Sequence, residues 1–199
     1  MKDWLAWHDR YREPASEQAL RLPVVQGQIA AALDRQPAGP IRVVSLCAGD
    51  GRDLLGVLPG HPRRDDVSAL LVELDPRLAP AGSPGVRVVV GDAALTSQYA
   101  DAVPAGLVLL CGIFGNVSDA DIKNTVFSMP GFCAPAATVI WTRHRDAPDL
   151  YPTICDWFAS AGFAPVFTSA PDLPYGVGAH IYTGPAVPLT PGHRLFTFR

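Results

Sequence analysis

Two glycines that follow a short apolar run form the strongest chemical signal in the sequence. The run ends at Cys47, Gly49 and Gly51 come next, and helix-forming residues begin at Arg52. Glycine lets the backbone adopt positive φ and approach a ligand closely, and the N-terminus of a helix offers free N–H groups. Such a loop suits the polar end of a nucleotide-like ligand, although any turn between a strand and a helix can use glycine.

Acidic residues end the next two apolar runs. Glu73 closes the run that begins at Val67, and Asp92 follows Val90 and Gly91. A carboxylate at the end of a second strand can accept hydrogen bonds from both hydroxyls of a ribose. One after a third strand can accept a hydrogen bond from an adenine amino group, or it can cap a helix. Because ligands bind at the carboxyl ends of strands in open α/β sheets, the three features predict a site for an adenosine-containing ligand.

The elements that would position these residues are five short runs of aliphatic and β-branched residues with little alternation. They are residues 41–47, 67–74, 86–90, 107–111 and 138–142. Stretches of helix length follow four of the runs, at residues 52–58, 94–103, 118–128 and 149–161. Continuous apolar strands belong to parallel sheets that are covered on both faces. The alternation therefore predicts a doubly wound α/β sheet with right-handed crossovers.

The two ends of the sequence depart from this alternation. Residues 3–12 and 15–36 have helical patterns, the second with a kink or break expected at Pro23. Residues 165–169 and 178–182 are two strand-like runs joined by a turn-rich segment, which predicts a hairpin. We therefore expect an N-terminal helical cap at residues 1–40 and one ligand-binding domain at residues 41–199.

Composition narrows the class of partner. The chain has 199 residues, 48% of them hydrophobic, and a formal net charge of −3, which is typical of a globular domain. A nucleic-acid-binding protein normally carries a basic stripe, so we expect a small-molecule partner and no nucleic acid. No apolar run reaches the ~20 residues of a membrane span, and the first residues do not form a secretory signal, so we expect a cytoplasmic protein with no membrane partner. The four cysteines lack zinc-ligand spacing, so we expect no metal site.

Four segments resemble motifs I to IV of the class I S-adenosylmethionine-dependent methyltransferases. The segments are SLCAGDGRD, VELDP, GDAAL and LVLLCGIFGN, and the resemblance extends from about Arg42 to the C-terminus. It implies a Rossmann-like, mostly parallel sheet of seven strands in the order 3-2-1-4-5-7-6, with the last strand antiparallel. It also implies S-adenosyl-L-methionine as cofactor and S-adenosyl-L-homocysteine as its product. The sequence departs from the family at two positions: Ser45 stands where an acid is frequent, and Cys47 replaces the first glycine of the G-x-G-x-G pattern.

By position, the resemblance implies ten cofactor-binding residues: Cys47, Ala48, Gly49, Gly51, Glu73, Asp75, Asp92, Ala93, Cys111 and Gly112. The two loop glycines would hold the methionine portion of the cofactor. Glu73 would hold the ribose, with Asp75 as a second candidate, and Asp92 would face the adenine. Phe114, together with the last two residues of the set, would line the channel beside the reactive methyl group.

The acceptor side of the site is less defined. A hydroxyl acceptor needs a general base, and histidine has a suitable pKa; His144 and His180 are the candidates, and either can instead be a surface or structural residue. Substrate contacts are predicted for Tyr11, Phe114, Asn116, Arg143 and Tyr175. Aromatic residues and a histidine recur at helical spacing near the N-terminus, at positions 4, 7, 8 and 11. This pattern resembles a lid over an acceptor pocket, although packing of an amphipathic helix onto the sheet explains it too.

The leading prediction is a methyltransferase that acts on oxygen or nitrogen of a small metabolite, as a monomer or a homodimer. An alternative is a protein that binds S-adenosylmethionine without transferring its methyl group, such as a cyclase, a decarboxylase or a binding partner. A third is an NAD-dependent oxidoreductase, against which the missing G-x-G-x-x-G spacing and the terminal hairpin both count.

Overall fold

The computed structural model describes residues 3–199 and contains one sheet of seven strands. In chain order the strands are β1 (Ile41–Leu46), β2 (Val67–Glu73), β3 (Val86–Val90), β4 (Ala105–Leu110), β5 (Cys133–His144), β6 (Phe163–Thr168) and β7 (Tyr175–Tyr182). The helices are α1 (Trp4–Asp9), α2 (Glu17–Arg35), α3 (Arg52–Leu55), α4 (Asp119–Ser128) and α5 (Tyr151–Ser160). Short 3₁₀ turns connect several of these elements.

The strand order is β3-β2-β1-β4-β5-β7-β6. Strand β7 is antiparallel to both of its neighbours, and the other adjacent pairs are parallel. The predicted sheet, its order and its antiparallel last strand are therefore confirmed. Strands β1, β2 and β4 are buried along almost their whole length, as expected for parallel strands that are covered on both faces.

The core consists of two layers, one on each face of the sheet. In β4, Val108 and Leu110 point into the layer formed with α4, α5 and the C-terminal segment. The alternate residues Leu107 and Leu109 point into the layer formed with α2 and α3. This alternation follows from the two-residue period of a strand. The loops after β1 to β4 come together at one edge of the sheet, and α1 lies over them.

Of the kink or break predicted at Pro23, the break is wrong, because helix α2 is continuous through this residue. Proline removes one backbone hydrogen bond from a helix interior, whereas this helix packs Val25, Ile29 and Leu33 into the core. Burial of this apolar face stabilises the helix by more than the loss of one backbone hydrogen bond destabilises it. None of the helices in residues 3–199 has the combination of length and apolar character that crossing a membrane requires.

The helix predicted at residues 94–103 is not formed, and a single 3₁₀ turn, Thr96–Tyr99, takes its place. The C-terminal segment pairs with this part of the backbone instead. The N–H group of Thr96 donates to the His193 carbonyl at 3.0 Å, and its hydroxyl donates to the Thr190 carbonyl at 2.7 Å. Helix α3 also stops early, at Leu55, because a glycine follows.

The predicted hairpin is present, but both of its strands are longer than expected. Strand β7 begins at Tyr175 and strand β6 at Phe163. Gly178 lets β7 cross the ring of Trp141, since a Cβ atom at this position would lie 2.5 Å from that ring. The extended pairing places the side chain of His180 inside the core, where it is 1% exposed.

Candidate active site

A cavity of about 710 Å³ lies at the carboxyl ends of strands β1 to β4. Its walls come from the loops after these strands, from α1 and the turn that follows it, and from the C-terminal segment. Sites for small molecules usually enclose about 300–1,000 Å³, with a few polar groups in an apolar lining. The cavity is therefore large enough for a ligand of cofactor size.

The loop after β1 has the backbone conformation that its glycines predict. Gly49 and Gly51 have φ of +56° and +73°, and the N–H of Gly51 closes the turn by donating to the Ala48 carbonyl at 2.9 Å. Cys47 also has positive φ, 52°, at a cost of about 1–2 kcal/mol for a residue other than glycine. The loop thus keeps its left-handed geometry at the position where cysteine replaces the family's glycine.

Glu73 connects the loop after β1 to the loop after β2. Its Oε2 accepts a hydrogen bond from the N–H of Gly49 at 2.8 Å, and its Oε1 accepts one from the N–H of Asp75 at 2.9 Å. The residue is 8% exposed and still lines the cavity. Because an ionised carboxylate can accept about four hydrogen bonds, Glu73 retains capacity for hydroxyl groups of a ligand.

The two other predicted acids on the cavity already have partners. Arg77 donates to both carboxylate oxygens of Asp75, and these hydrogen bonds lower the pKa of Asp75 to about 2. The Oδ1 of Asp92 accepts from the N–H of Ala94 at 3.0 Å, and its Oδ2 accepts from Arg194 at 2.7 Å. Asp92 therefore caps the turn after β3, as its alternative interpretation expects, and also lines the cavity.

An apolar surface lies beside these acids. Leu74 lines the cavity although 65% of its surface is exposed, and Ala93 and Phe196 add buried apolar lining. Exposed large apolar side chains in a cavity indicate surface that a ligand can cover.

Helix α1 lies across the loops after β1 and β4, and two glycines allow its close approach. A Cβ atom on Gly49 would lie 2.2 Å from Cε1 of His8, and one on Gly112 would lie 3.1 Å from the ring of Trp7. Burial lowers the pKa of His8, so its ring is neutral at pH 7. Its Nδ1 is buried and has no hydrogen-bond partner among residues 3–199.

The turn after α1 places Tyr11 on the cavity between two arginines. The hydroxyl of Tyr11 accepts a hydrogen bond from Arg21 at 3.2 Å, and the guanidinium of Arg52 lies 4.2 Å from its ring centroid. Burial, together with the nearby charge of Asp53, raises the pKa of Tyr11 to about 12. Burial also raises the pKa of Asp53, which lines the cavity with Cys111.

Three predicted substrate contacts lie behind the cavity wall. Phe114 is fully buried in the core, the side-chain amide of Asn116 donates to the Gly112 carbonyl at 2.7 Å, and Arg143 donates to the Phe114 carbonyl at 3.2 Å. None of these three side chains lines the cavity. Their hydrogen bonds hold the loop after β4, so we correct their predicted role from substrate contact to support of that loop.

Tyr175 and His144 also lie off the cavity. The hydroxyl of Tyr175 donates to the Leu20 carbonyl at 3.3 Å, which fastens α2 to β7. The ring of His144 packs against Gly115, and its Nδ1 accepts a hydrogen bond from the N–H of Asp146 at 3.2 Å. We therefore withdraw Tyr175 as a substrate contact and His144 as a candidate base.

The second candidate base, His180, is a core residue. Its ring stacks on Phe158 with centroids 4.7 Å apart, and its Nδ1 accepts a hydrogen bond from Nε1 of Trp141 at 3.1 Å. Burial lowers the pKa of His180 to about 4. The prediction failed because the strand assignment began too late and left the orientation of this side chain undefined.

His180 should make the protein less stable in mild acid. Because the folded-state pKa of about 4 lies below the unfolded value of about 6.5, the unfolded chain gains a proton first as the pH falls between these values. Between pH 7 and pH 5 this difference in pKa lowers the free energy of unfolding by about 2 kcal/mol. Urea unfolding of the wild type and of His180→Gln at both pH values isolates the effect, since glutamine can accept from Trp141 but does not titrate. Equal losses of stability in the two proteins would contradict this account.

The sequence prediction missed the contribution of the C-terminal segment. Phe196 and Phe198 line the cavity, and the ring of Phe198 lies 4.9 Å from that of Trp4. The segment is held in place by the N–H of Leu195, which donates to the Ala94 carbonyl at 2.8 Å. The alternating aromatic residues after position 194 were the available signal for this packing.

The sheet order and the position of the cavity define the class of fold. A seven-stranded sheet in the order 3-2-1-4-5-7-6, with an antiparallel last strand and helices on both faces, is the Rossmann-like fold of the class I S-adenosylmethionine-dependent methyltransferases. The structure of this chain has that fold. No protein-family model matches the sequence, and no curated protein matches it.

Three solved structures, two of them of methyltransferases, resemble the chain in fold at low sequence identity. One is the 1,6-didemethyltoxoflavin-N1-methyltransferase of Burkholderia thailandensis, with 16% identity, a TM-score of 0.63 and coverage of 90% of this chain and 86% of that one. A second is the magnesium protoporphyrin IX methyltransferase of Synechocystis, with 9% identity, a TM-score of 0.62 and coverage of 83% and 81%. A third is the fibrillarin pre-rRNA processing protein of Methanococcus jannaschii, with 15% identity, a TM-score of 0.56 and coverage of 81% and 76%.

Proposed function

We propose that the protein is an S-adenosylmethionine-dependent methyltransferase that methylates oxygen or nitrogen of a small molecule. The observation that carries the proposal is the position of Glu73. Its buried carboxylate ends β2, faces a cavity of cofactor size and ties the glycine loop to the next strand. A carboxylate at the end of the second strand can accept hydrogen bonds from both hydroxyls of a ribose.

The surrounding residues fit the remaining parts of the cofactor. Gly49 and Gly51 give the loop after β1 its left-handed turn, and Cys47 and Ala48 of that loop line the cavity where the methionine portion would lie. The apolar surface of Leu74, Ala93 and Phe196 suits an adenine ring, and Asp92 lies beside that surface. Two of the solved methyltransferases with this fold contain the cofactor or its product: the Synechocystis enzyme contains S-adenosylmethionine and the B. thailandensis enzyme S-adenosylhomocysteine.

When bound, S-adenosylmethionine supplies a methyl group that its positively charged sulfur already activates. The protein then has to align the acceptor and exclude water. Trp7, His8 and Tyr11 line the cavity between the loops after β1 and β4. We therefore propose that residues 1–40 act as the cap of the site, with α1 as the part that covers it.

Charge favours a small molecule over a nucleic acid as acceptor. Six carboxylates and two guanidiniums line the cavity, those of Asp3, Asp50, Asp53, Glu73, Asp75, Asp92, Arg52 and Arg77. Nucleic acids bind largely through neutralisation of their phosphates by basic residues, and this lining has the opposite balance. One neighbour in fold is a pre-rRNA processing protein, so RNA belongs in the test as a comparison acceptor.

We also keep the proposals of a cytoplasmic location and of a monomer or homodimer.

Methyl-labelled S-adenosylmethionine tests the proposal. Incubation with pooled small-molecule amines, phenols and N-heterocycles should release S-adenosylhomocysteine and move the label into the small-molecule fraction, while total RNA remains unlabelled. Retention of all label in the bound cofactor, with every acceptor pool, would favour a protein that binds the cofactor without transferring its methyl group. Label in RNA would contradict the choice of acceptor.

A further inference from the structure

The end of the cavity near β4 combines two aromatic side chains with a half-buried carboxylate. Trp7 and Tyr11 supply the rings, and Asp53 supplies the carboxylate beside Cys111 and Gly112. None of these five residues is among those that fit the ribose or the adenine. This end is therefore available to the molecule that receives the methyl group.

Two arginines, Arg52 and Arg21, already contact the aromatic rings at this end of the cavity. Arg52 donates hydrogen bonds from Nε to both carboxylate oxygens of Asp50, at 2.8 and 2.9 Å, while its guanidinium lies on the ring of Tyr11. Arg21 is 6% exposed, lies 5.6 Å from the ring centroid of Trp7 and donates to the hydroxyl of Tyr11. Arg52 is thus ion-paired with Asp50, and Arg21 is not among the residues that line the cavity.

The charge that develops on an acceptor distinguishes nitrogen from oxygen. A carboxylic acid is already anionic at neutral pH, which places like charges together beside Asp53. A neutral nitrogen becomes positively charged as it gains the methyl group. A carboxylate stabilises developing positive charge. The local chemistry thus favours a nitrogen acceptor over an acidic oxygen.

We infer that the acceptor is a planar, uncharged heterocycle with two ring nitrogens whose N–H group donates a hydrogen bond to Asp53, beside the rings of Trp7 and Tyr11, which pack edge to face with centroids 6.0 Å apart. The inference rests on the proposed function and narrows its acceptor from oxygen or nitrogen to one class. In the transfer, the lone pair of the ring nitrogen that carries no hydrogen forms the new bond to the methyl carbon, and the electron pair of the broken carbon–sulfur bond remains on sulfur. The N–H proton of the other ring nitrogen passes to the Asp53 carboxylate, which leaves the methylated ring neutral.

A binding experiment with matched probes tests the inference without turnover. The full-length protein is saturated with S-adenosylhomocysteine, which has no methyl group to transfer, and is then titrated with benzimidazole, benzoxazole or benzoate. Benzoxazole has the same bicyclic shape as benzimidazole, with oxygen in place of the N–H group. Because a hydrogen bond to a charged group contributes substantially, benzimidazole should bind at least about tenfold more tightly than benzoxazole, and benzoate should bind weakest.

Two variants of Asp53 and one control test whether the preference for benzimidazole over benzoxazole depends on this carboxylate. Asp53→Asn keeps the shape and one acceptor oxygen, so the preference for benzimidazole should fall to about threefold; Asp53→Leu should abolish it. Asp9→Asn removes an equal charge from an exposed ion pair with Arg12 outside the cavity and should leave the preference unchanged. If Asp53→Leu does not fold, the asparagine variant still decides the question.

The outcomes separate this inference from the proposed function. Equal binding of benzimidazole and benzoxazole, tightest binding of benzoate, or an unchanged preference in Asp53→Asn would overturn the inference while binding of S-adenosylhomocysteine left the function standing. No binding of S-adenosylhomocysteine by the folded protein would overturn both.

Discussion

Glu73→Ala should lower the affinity for S-adenosylmethionine by at least about 100-fold. The substitution removes the carboxylate that we assign to the two ribose hydroxyls, and hydrogen bonds to a charged group contribute about 1.5–3 kcal/mol each. It also removes the acceptor for the N–H groups of Gly49 and Asp75. We therefore expect a loss of folding stability of about 1–3 kcal/mol as well. Calorimetric titration and urea unfolding measure the two effects separately.

Asp75 provides the matched control, because the sequence leaves it as a second candidate for the ribose. Its carboxylate is held by Arg77 and, unlike that of Glu73, does not tie the glycine loop to β2. Asp75→Ala should change the affinity by about threefold or less, as expected for loss of an exposed ion pair. A larger loss in Asp75→Ala than in Glu73→Ala would show that the ribose assignment is wrong.

Gly49→Ala should disrupt the site by two effects that can be separated. The backbone at Gly49 has φ of +56°, which costs a residue with a side chain about 1–2 kcal/mol. The new methyl group would also lie 2.2 Å from Cε1 of His8, so α1 would have to move away from the loop. We expect a loss of cofactor affinity of about tenfold or more in addition to the loss of stability.

Gly192→Ala isolates the backbone effect. Gly192 has φ of +69°, close to that of Gly49, and a Cβ atom there would meet nothing within 4 Å. This variant should lose about 1–2 kcal/mol of stability and keep its cofactor affinity. In the double variant Gly49→Ala with His8→Ala, the contact is relieved, so part of the affinity should return. If Gly49→Ala binds the cofactor as tightly as the wild type, α1 does not approach the loop in the way described.

The sheet, and the edge of the sheet at which Gly49, Glu73 and Asp92 lie, could be predicted because local sequence determines them. A buried parallel strand is a continuous apolar run, and the loop after it must start where the run ends. The positions of Gly49, Glu73 and Asp92 at one edge therefore follow from the strand order. The helix predicted at residues 94–103 does not form, and local sequence could not show this, because the backbone of Ala94 and Thr96 is hydrogen-bonded to Leu195 and His193, about 100 positions later.

The acceptor side could not be predicted because distant segments build it. His180 and Tyr175 lie on β7, and their orientation depends on the register of β7 against β5. The position of Asp53 beside Tyr11 depends on how α1 packs over α3, which no local pattern encodes. The aromatic spacing at the N-terminus indicated one face of a helix, and the structure shows that Trp4, Trp7, His8 and Tyr11 all line the cavity.

Calorimetric titration of the purified wild-type protein with S-adenosylmethionine, S-adenosylhomocysteine and NAD tests the central claim most directly. The account predicts that the first two ligands bind with one site per chain and compete with each other, and that NAD does not displace them. Preferential binding of NAD, or no binding of either adenosyl ligand by a sample whose folding has been verified, would contradict the assignment of the cavity as an S-adenosylmethionine site.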